Sequence, residues 1–125
     1  MIDFANCKIN LGLNVTQKRP DGFHNIETVF YPVKWQDALE IIEGGTTPFE
    51  LKITGLKVTD NLEENILFKA YKLLTAETKI PNLKVNLHKV LPMGAGLGGG
   101  SSDAVFFLQL ANKQLKLNLS TEKLT

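Results

Sequence analysis

The fold of this chain is decided by one stretch, Pro92-Met93-Gly94-Ala95-Gly96-Leu97-Gly98-Gly99-Gly100-Ser101-Ser102, which holds half of the chain's 10 glycines. Residues 83–88, which precede it, alternate apolar and polar side chains, the period of a half-buried strand. Residues 103 to about 117, which follow it, carry apolar side chains at helical spacing. The stretch is therefore predicted to be a loop between a strand and the N-terminus of a helix.

Such a loop suits an anion. Glycines let backbone N–H groups approach a ligand without obstruction by Cβ, and a helix N-terminus carries partial positive charge. Together they form a site that most often takes phosphate. We expect Ser101 and Ser102 to cap the helix, and their hydroxyls are also available to a phosphate or a metal-bound water. The alternative is a flexible turn with a serine cap.

Three well-known glycine-rich nucleotide-binding motifs match the loop poorly. Gly94 and Gly99 have the Walker spacing, but Gly100 stands where that design needs lysine. Gly94, Gly96 and Gly99 match the dinucleotide fingerprint G-x-G-x-x-G, yet no second strand follows the helix. The protein-kinase loop is followed by a strand, whereas this one precedes a helix.

Composition narrows the class of protein. At 125 residues the chain is at most one domain, and 14 basic against 13 acidic side chains leave a net charge of +1. That balance gives no electrostatic case for nucleic-acid or membrane binding. The single cysteine, Cys7, suits a reducing compartment. The N-terminus lacks a signal-peptide pattern, and no apolar run is long enough to span a bilayer. We expect a cytoplasmic protein, monomeric or homodimeric.

The remaining elements follow from periodicity and turn chemistry. Lys8 and Asn10 project together from the polar face of the first strand, whose other face carries Ile9, Leu11, Leu13 and Val15. Pro32 suggests an edge or a bulge in the second strand. The two strands that flank the Gly44-Gly45 turn should form a hairpin. We predict strands at 4–15, 25–35, 38–43, 49–54 and 83–88, helices at about 66–79 and 103–117, and the start of another helix at 120–122.

The glycine loop, read as P-x-x-x-G-L-G-[GS]-[GS]-S-[SA], resembles the phosphate-binding motif of the galactokinase, homoserine kinase, mevalonate kinase and phosphomevalonate kinase (GHMP) superfamily. Its triple glycine is most similar to that of the 4-diphosphocytidyl-2-C-methyl-D-erythritol kinases. Three further segments resemble that family's motifs in the expected order: Ala5-Asn6-Cys7-Lys8-Ile9-Asn10-Leu11, Asp21-Gly22-Phe23-His24, and Asp60-Asn61-Leu62 followed by Asn65-Ile66.

The resemblance implies an α+β fold like domain 2 of ribosomal protein S5, a mixed sheet with helices packed on one face. Residues 1–125 would be the N-terminal, ATP-binding domain, incomplete at its C-terminal end, with the C-terminal GHMP domain absent. The family's catalytic aspartate, in a G-x-D-[IV]-P-type motif, has no counterpart between Asp103 and Thr125. We therefore expect this chain to turn over little substrate by itself.

The resemblance also implies roles. The intact enzyme would transfer the γ-phosphoryl of ATP, with Mg²⁺, to the 2-hydroxyl of 4-diphosphocytidyl-2-C-methyl-D-erythritol in non-mevalonate isoprenoid synthesis. Lys8 would be catalytic, Asn10 would hold the polyol, Phe23 and His24 would recognise cytosine, and Asn65 would border the adenine pocket. No metal site built from protein side chains is expected. The phosphates would lie against Pro92, Met93, Gly94, Ala95, Gly96, Leu97, Gly98, Gly99, Gly100, Ser101 and Ser102.

Two alternatives remain open. One is another GHMP kinase, of homoserine or mevalonate type, against which Asp21-Gly22-Phe23-His24 argues. The other is a non-catalytic, S5-like binding module for nucleic acid, which the near-zero net charge weakens.

Overall fold

A four-stranded mixed sheet organises the computed structural model of this chain, which describes residues 1–124. The strand order is β1-β2-β4-β3. Neither helix in the described part is long and apolar enough to cross a membrane. The elements are β1 (Ile2–Lys18), β2 (His24–Glu43), β3 (Phe49–Gly55), α1 (Ile66–Glu77), β4 (Leu83–Lys89) and α2 (Gly99–Gln114), with short 3₁₀ turns at Leu62–Glu64 and Thr121–Leu124.

The predicted hairpin between β2 and β3 is wrong, because β4 lies between them. Val85 of β4 is opposite Ile41 of antiparallel β2 on one side and Leu51 of parallel β3 on the other. Helix α1 carries the chain from the end of β3 back to the start of β4, the crossover that parallel neighbours require. Turn residues predict only that the chain reverses direction. They carry no information about a later strand that pairs between β2 and β3.

The predicted strands at 25–35 and 38–43 form one continuous strand, β2. Pro32 is tolerated in its middle because this part of β2 pairs only with β1, where Pro32 is opposite Lys8. Pairing with β4 begins at Ala38. A proline lacks the N–H that a second neighbour would need, so the expectation of an edge position is confirmed.

Beyond the sheet, β1 and β2 continue as a two-stranded ribbon. Its apolar side chains stay in solvent: Leu11, Leu13 and Val15 are each more than half exposed. The half-buried first strand suggested by the alternation is therefore found only near its start, where Ala5 and Cys7 are buried.

Both helices pack on one face of the sheet. Along β4 the buried residues are Leu83, Val85, Leu87 and Lys89, and the intervening side chains face away. Helix α1 buries Leu67, Ala70, Tyr71 and Leu74 but leaves Leu73 68% exposed, so its buried face is narrower than predicted. The helix ends at Glu77, as the later Pro81 led us to expect.

Helix α2 starts four residues earlier than predicted. Its N-cap is Gly98, at φ +69° with no side-chain cap, and Ser101 and Ser102 lie inside the first turn. The predicted serine cap is therefore wrong, because the left-handed glycine turns the chain into the helix before the serines are reached. The helix ends at Gln114 rather than near Leu117, where Lys116 and Asn118 take positive φ angles.

Candidate functional site

The glycine loop occupies residues 90–98, between the end of β4 and the start of α2. Gly94, Gly96 and Gly98 have φ angles of +71°, +73° and +69°. Left-handed residues at alternate positions turn successive backbone N–H groups toward one concavity, an arrangement that binds anions. A Cβ on Gly94 or Gly96 would meet no heavy atom within 4 Å, so the outer rim of the loop is open.

The three consecutive glycines, Gly98, Gly99 and Gly100, differ in how much room each leaves for a side chain. At Gly98 a Cβ would lie 3.2 Å from Cε of Lys8, in addition to the positive φ. At Gly99 it would lie 3.2 Å from Cβ of Leu91 and 3.3 Å from Nζ of Lys89. At Gly100 it would make only ordinary contact with Met93, at 3.8 Å. The positive φ therefore accounts for glycine at Gly98, close packing against Leu91 and Lys89 accounts for it at Gly99, and the structure gives no steric reason for it at Gly100.

Lys8 ties the N-terminal strand to this loop. Its backbone N–H donates to the Leu97 carbonyl at 3.0 Å, and its Nζ donates to the Gly96 carbonyl at 3.0 Å and to Oδ1 of Asn10 at 2.8 Å. The ammonium also lies 5.2 Å from the ring centre of Phe30. Lys8 and Asn10, expected on one strand face, thus contact each other at the edge of the loop.

Asn65 immediately precedes α1. It is buried, and its Oδ1 accepts a hydrogen bond from the Leu67 N–H at 2.9 Å, which caps α1. It also lines a mostly apolar cavity of about 100 Å³ together with Met93, Gly100 and Asp103. The cavity connects the start of α1 with the first turn of α2.

Phe23 and His24 are not brought to the loop. They lie at the tip of the β1–β2 ribbon, where Phe23 is 72% exposed and His24 is opposite Lys18. Lys8 is opposite Pro32, eight residues along β2, which at ~3.3 Å per residue is a contour length of roughly 26 Å. Register shifts at Leu11/Leu13 and Val15/Gln17 bend the ribbon, so the direct distance is shorter than that length.

The sequence analysis missed a buried cluster of charges beneath the loop. Nζ of Lys89, a residue only 1% exposed, donates to Oδ2 of Asp37 and, at 2.9 Å, to Oδ2 of Asp103. Oδ1 of Asp37 accepts the N–H groups of Val90 and, at 2.8 Å, Leu91. The available signal was the alternation of β4, which places Lys89 in line with the inward-facing Leu83, Val85 and Leu87.

Two carboxylates share one ammonium in this cluster. Burial raises the pKa of Asp103 to about 6, with the neighbouring charge of Asp37 adding to the effect and Lys89 opposing it. For Asp37, burial also acts to raise the pKa, but hydrogen bonds from Lys89, Leu91 and Val90 outweigh it and lower the value. Burial acts to lower the pKa of Lys89, and the two carboxylates together raise it. The cluster therefore holds Lys89 charged and makes Asp103 the easier carboxyl to protonate.

Metal binding by protein side chains has no candidate in residues 1–124, where no three His, Cys, Asp or Glu are grouped for it. Ser101 is exposed and Ser102 half-buried in the first turn of α2. Mg²⁺ commonly keeps several waters and is held largely through substrate phosphates. Two serine hydroxyls next to a glycine-rich loop and a helix N-terminus are compatible with that mode of binding.

The family model and the related sequences that match this chain point to the same group of kinases. Residues 65–125 match the family described as "GHMP kinases N terminal domain". The 4-diphosphocytidyl-2-C-methyl-D-erythritol kinase of Bacteroides fragilis is 52% identical over 99% of this chain, and that of Cytophaga hutchinsonii is 48% identical over the same share. These alignments cover 46% and 45% of the two relatives. The chain thus spans less than half the length of the curated relatives it matches.

Solved structures agree with this fold. A crystal structure of 4-(cytidine 5'-diphospho)-2C-methyl-D-erythritol kinase matches 99% of this chain and 44% of its own, with a TM-score of 0.82 and 31% identity. A homoserine kinase from Cytophaga hutchinsonii matches 76% of this chain and 32% of its own, with a TM-score of 0.66. At 18% identity, the second match supports the fold alone.

Proposed function

We propose that this chain supplies the nucleotide-binding part of a small-molecule kinase, because residues 65–125 match the N-terminal domain of the GHMP kinases and because the relatives and the solved structure that match nearly all of the chain are kinases. The proposed reaction is transfer of the γ-phosphoryl of ATP to the 2-hydroxyl of 4-diphosphocytidyl-2-C-methyl-D-erythritol. Relatives with that printed name, about half identical over nearly the whole chain, support the substrate.

One observation carries the proposal. Nζ of Lys8 meets the carbonyl of Gly96, although 88 positions separate the two residues in the chain. The Lys8 motif and the glycine loop therefore meet in space, which supports one shared site. Phosphoryl transfer depends on positioning and on stabilising charge more than on covalent chemistry by the protein, and an ammonium beside an anion loop offers both.

The loop would hold the nucleotide phosphates. Its open rim at Gly94 and Gly96 gives backbone N–H groups access to phosphate oxygens, and the dipole of α2, which begins at Gly99, favours negative charge there. We assign Ser101 and Ser102 to the β-phosphate or to Mg²⁺. The metal would neutralise charge on the phosphates when bound.

Lys8 would act on the transferred group. Within the described residues its ammonium makes two hydrogen bonds and has three N–H donors, which leaves one for a substrate or phosphate oxygen. Oδ1 of Asn10 accepts one hydrogen bond from the lysine, and the Asn10 amide nitrogen, which makes no side-chain hydrogen bond within residues 1–124, would orient the polyol. Lys8 would thus place the acceptor hydroxyl and stabilise charge that develops on the phosphoryl oxygens.

The general base is proposed to lie outside residues 1–125. The carboxylates nearest the loop, Asp37 and Asp103, are both hydrogen-bonded to Lys89 and buried, so neither is placed to take a proton from a substrate. The 125-residue chain alone is accordingly expected to transfer phosphoryl groups slowly or not at all.

Cytosine recognition is assigned to the ribbon tip. Phe23 offers an exposed ring for stacking and His24 a ring nitrogen for hydrogen bonding. In the proposed substrate, a ribose and a diphosphate separate the base from the polyol. An elongated substrate running along a bent ribbon from tip to loop accommodates the separation between these residues and Lys8.

A substrate panel tests the proposal. The protein produced from its complete reading frame is assayed with MgATP and, in turn, 4-diphosphocytidyl-2-C-methyl-D-erythritol, homoserine and mevalonate. We expect phosphorylation of the first only, at a turnover number of roughly 1 s⁻¹ or more. Preferential phosphorylation of homoserine or mevalonate would assign the site to another GHMP kinase. Salt-dependent RNA binding without any kinase activity would favour the S5-like module.

A further inference from the structure

The charged cluster of Lys89, Asp37 and Asp103 connects both ends of the glycine loop. At the entry to the loop, Oδ1 of Asp37 accepts the N–H groups of Val90 and Leu91. At its exit, Asp103 lies in α2, four residues after Gly99, and accepts a hydrogen bond from the same lysine. The sheet, the loop entry and the helix start therefore converge on a single ammonium.

The ammonium of Lys89 also lies close to Gly99, at the exit of the loop. Nζ of Lys89 lies 3.3 Å from where a Cβ of Gly99 would be, and Leu91 is equally close. The first turn of α2 therefore sits directly on the cluster. A displacement of Lys89 would therefore disturb contacts at both ends of the loop.

Stability does not explain the cluster well. Desolvation of buried ion pairs often cancels their mutual attraction, so apolar side chains of similar volume commonly serve as well. A glycine-rich loop, by contrast, loses much conformational freedom when it is ordered, and ligand affinity gains when that ordering precedes binding. A buried, directional tie at each end of the loop supplies such ordering.

We infer that Lys89, held by Asp37 and Asp103, is a positioning residue that sets the glycine loop in its phosphate-binding shape. The inference rests on the proposed function, in which the loop binds nucleotide phosphates. Lys89 is not itself a phosphate ligand, because it is 1% exposed and engaged by two carboxylates. Its effect is transmitted through the backbone of residues 90–98.

Affinity for two ligands separates positioning from simple stability. MgADP uses the phosphate loop, whereas adenosine lacks the phosphates. In the complete gene product, Lys89→Met should weaken MgADP binding at least tenfold and change adenosine binding less than twofold. Leu74→Ala, which removes a buried side chain from α1 away from the loop, is the control and should leave the ratio of the two affinities unchanged.

A milder variant covers the case in which Lys89→Met does not fold. Asp37→Asn keeps an oxygen for the Val90 and Leu91 N–H groups but removes the charge opposite Lys89. It should weaken MgADP binding at least threefold and speed amide hydrogen exchange at residues 90–98 at least tenfold, relative to exchange in α1. Asp103→Asn leaves the Asp37 carboxylate on Lys89 and on the Val90 and Leu91 N–H groups, so it should weaken MgADP binding less than Asp37→Asn does.

Equal loss of MgADP and adenosine affinity, or no loss of either, in the folded Lys89→Met or Asp37→Asn variant would overturn the inference. Failure of the proposed function has a different signature, since the wild-type protein would then bind neither ligand. In that case the rate of amide hydrogen exchange at residues 90–98 still tests whether the cluster orders the loop. An unchanged exchange rate in Asp37→Asn would refute that ordering.

Discussion

At the scale of single residues, the candidate site contains one half-buried lysine, Lys8, and one fully buried lysine, Lys89, for which we propose different roles. Nζ of Lys8 donates to the Gly96 carbonyl and to Asn10, whereas Nζ of Lys89 is paired with the carboxylates of Asp37 and Asp103. Sequence analysis identified the first, because its neighbours form a recognisable motif. It missed the second, because the partners of Lys89 come from β2 and α2 and no local pattern links them.

Removing the ammonium of Lys8 tests its proposed chemical role. Lys8→Met keeps most of the side-chain volume, and loss of one stabilising donor in a phosphoryl-transfer site should lower kcat roughly 100-fold or more. The measurement is steady-state kinetics of the complete gene product. Lys34→Met, an exposed lysine on β2, is the matched control and should retain wild-type kcat. Comparable kcat values in both variants would remove Lys8 from the mechanism.

The three consecutive glycines should respond differently to alanine. Gly98→Ala forces a side chain into the left-handed region, at about 1–2 kcal/mol, and Gly99→Ala overpacks Leu91 and Lys89, at about 1–3 kcal/mol. Gly100→Ala meets only ordinary contact and should be neutral or stabilising by up to ~1 kcal/mol, since alanine favours the helix. Urea unfolding of the three variants measures these differences, and equal costs would contradict the packing described.

Asp103 should make stability depend on pH. Its pKa is raised from 3.8 to about 6, so the folded state binds the proton more tightly than the unfolded state. The stabilisation from this group is complete below pH ~3.8 and is lost as pH rises through about 6. Between pH 4.5 and 7.5 the loss is about 2 kcal/mol, since one pKa unit corresponds to ~1.4 kcal/mol.

Comparison of Asp103→Asn with wild type isolates this effect. Lys89 and Asp37 face the carboxyl, and Glu64 lines the same cavity. The pKa of Asp37 is lowered, so its contribution is lost only at more acidic pH. The free energy of unfolding should therefore fall less in Asp103→Asn than in wild type between pH 4.5 and 7.5. Parallel pH profiles for the two proteins would show that Asp103 titrates normally.

At the scale of elements, the sequence predicted those whose signals are local. The alternation of β4, the end of α1 ahead of Pro81 and the loop before α2 were all confirmed. The strand order was not predictable from turns, because a chain reversal after β2 is compatible with either a hairpin or an intervening strand. The start of α2 was missed because glycine is a poor helix former, yet Gly99 and Gly100 lie inside the helix.

The β1–β2 ribbon should be insensitive to loss of its apolar side chains. Leu13 is 59% exposed, so Leu13→Ser should change the free energy of unfolding by no more than ~0.5 kcal/mol. Leu39→Ala, in the buried part of β2 at 0% exposure, should cost about 2–5 kcal/mol. Urea unfolding of the 125-residue chain provides both values. A similar cost at the two positions would mean that the ribbon is packed in solution.

At the scale of the whole molecule, the fold class and the resemblance to the GHMP kinases followed from four short motifs in the right order. The expected mixed sheet with helices on one face is confirmed, as is the similarity to 4-diphosphocytidyl-2-C-methyl-D-erythritol kinases. Motifs predict a site because their residues meet in space, as Lys8 and Gly96 do. They say nothing about the residues that support such a site, so the cluster around Lys89 required the structure.

Titration of the isotopically labelled 125-residue chain with MgADP, followed by amide NMR, tests the central claim that the glycine loop binds nucleotide phosphates. We expect saturable chemical-shift changes concentrated at residues 94–102 and at Lys8, with the ribbon tip at Phe23 and His24 unaffected. A well-dispersed spectrum in which the amide chemical shifts of residues 94–102 do not change at millimolar MgADP would contradict phosphate binding by the loop.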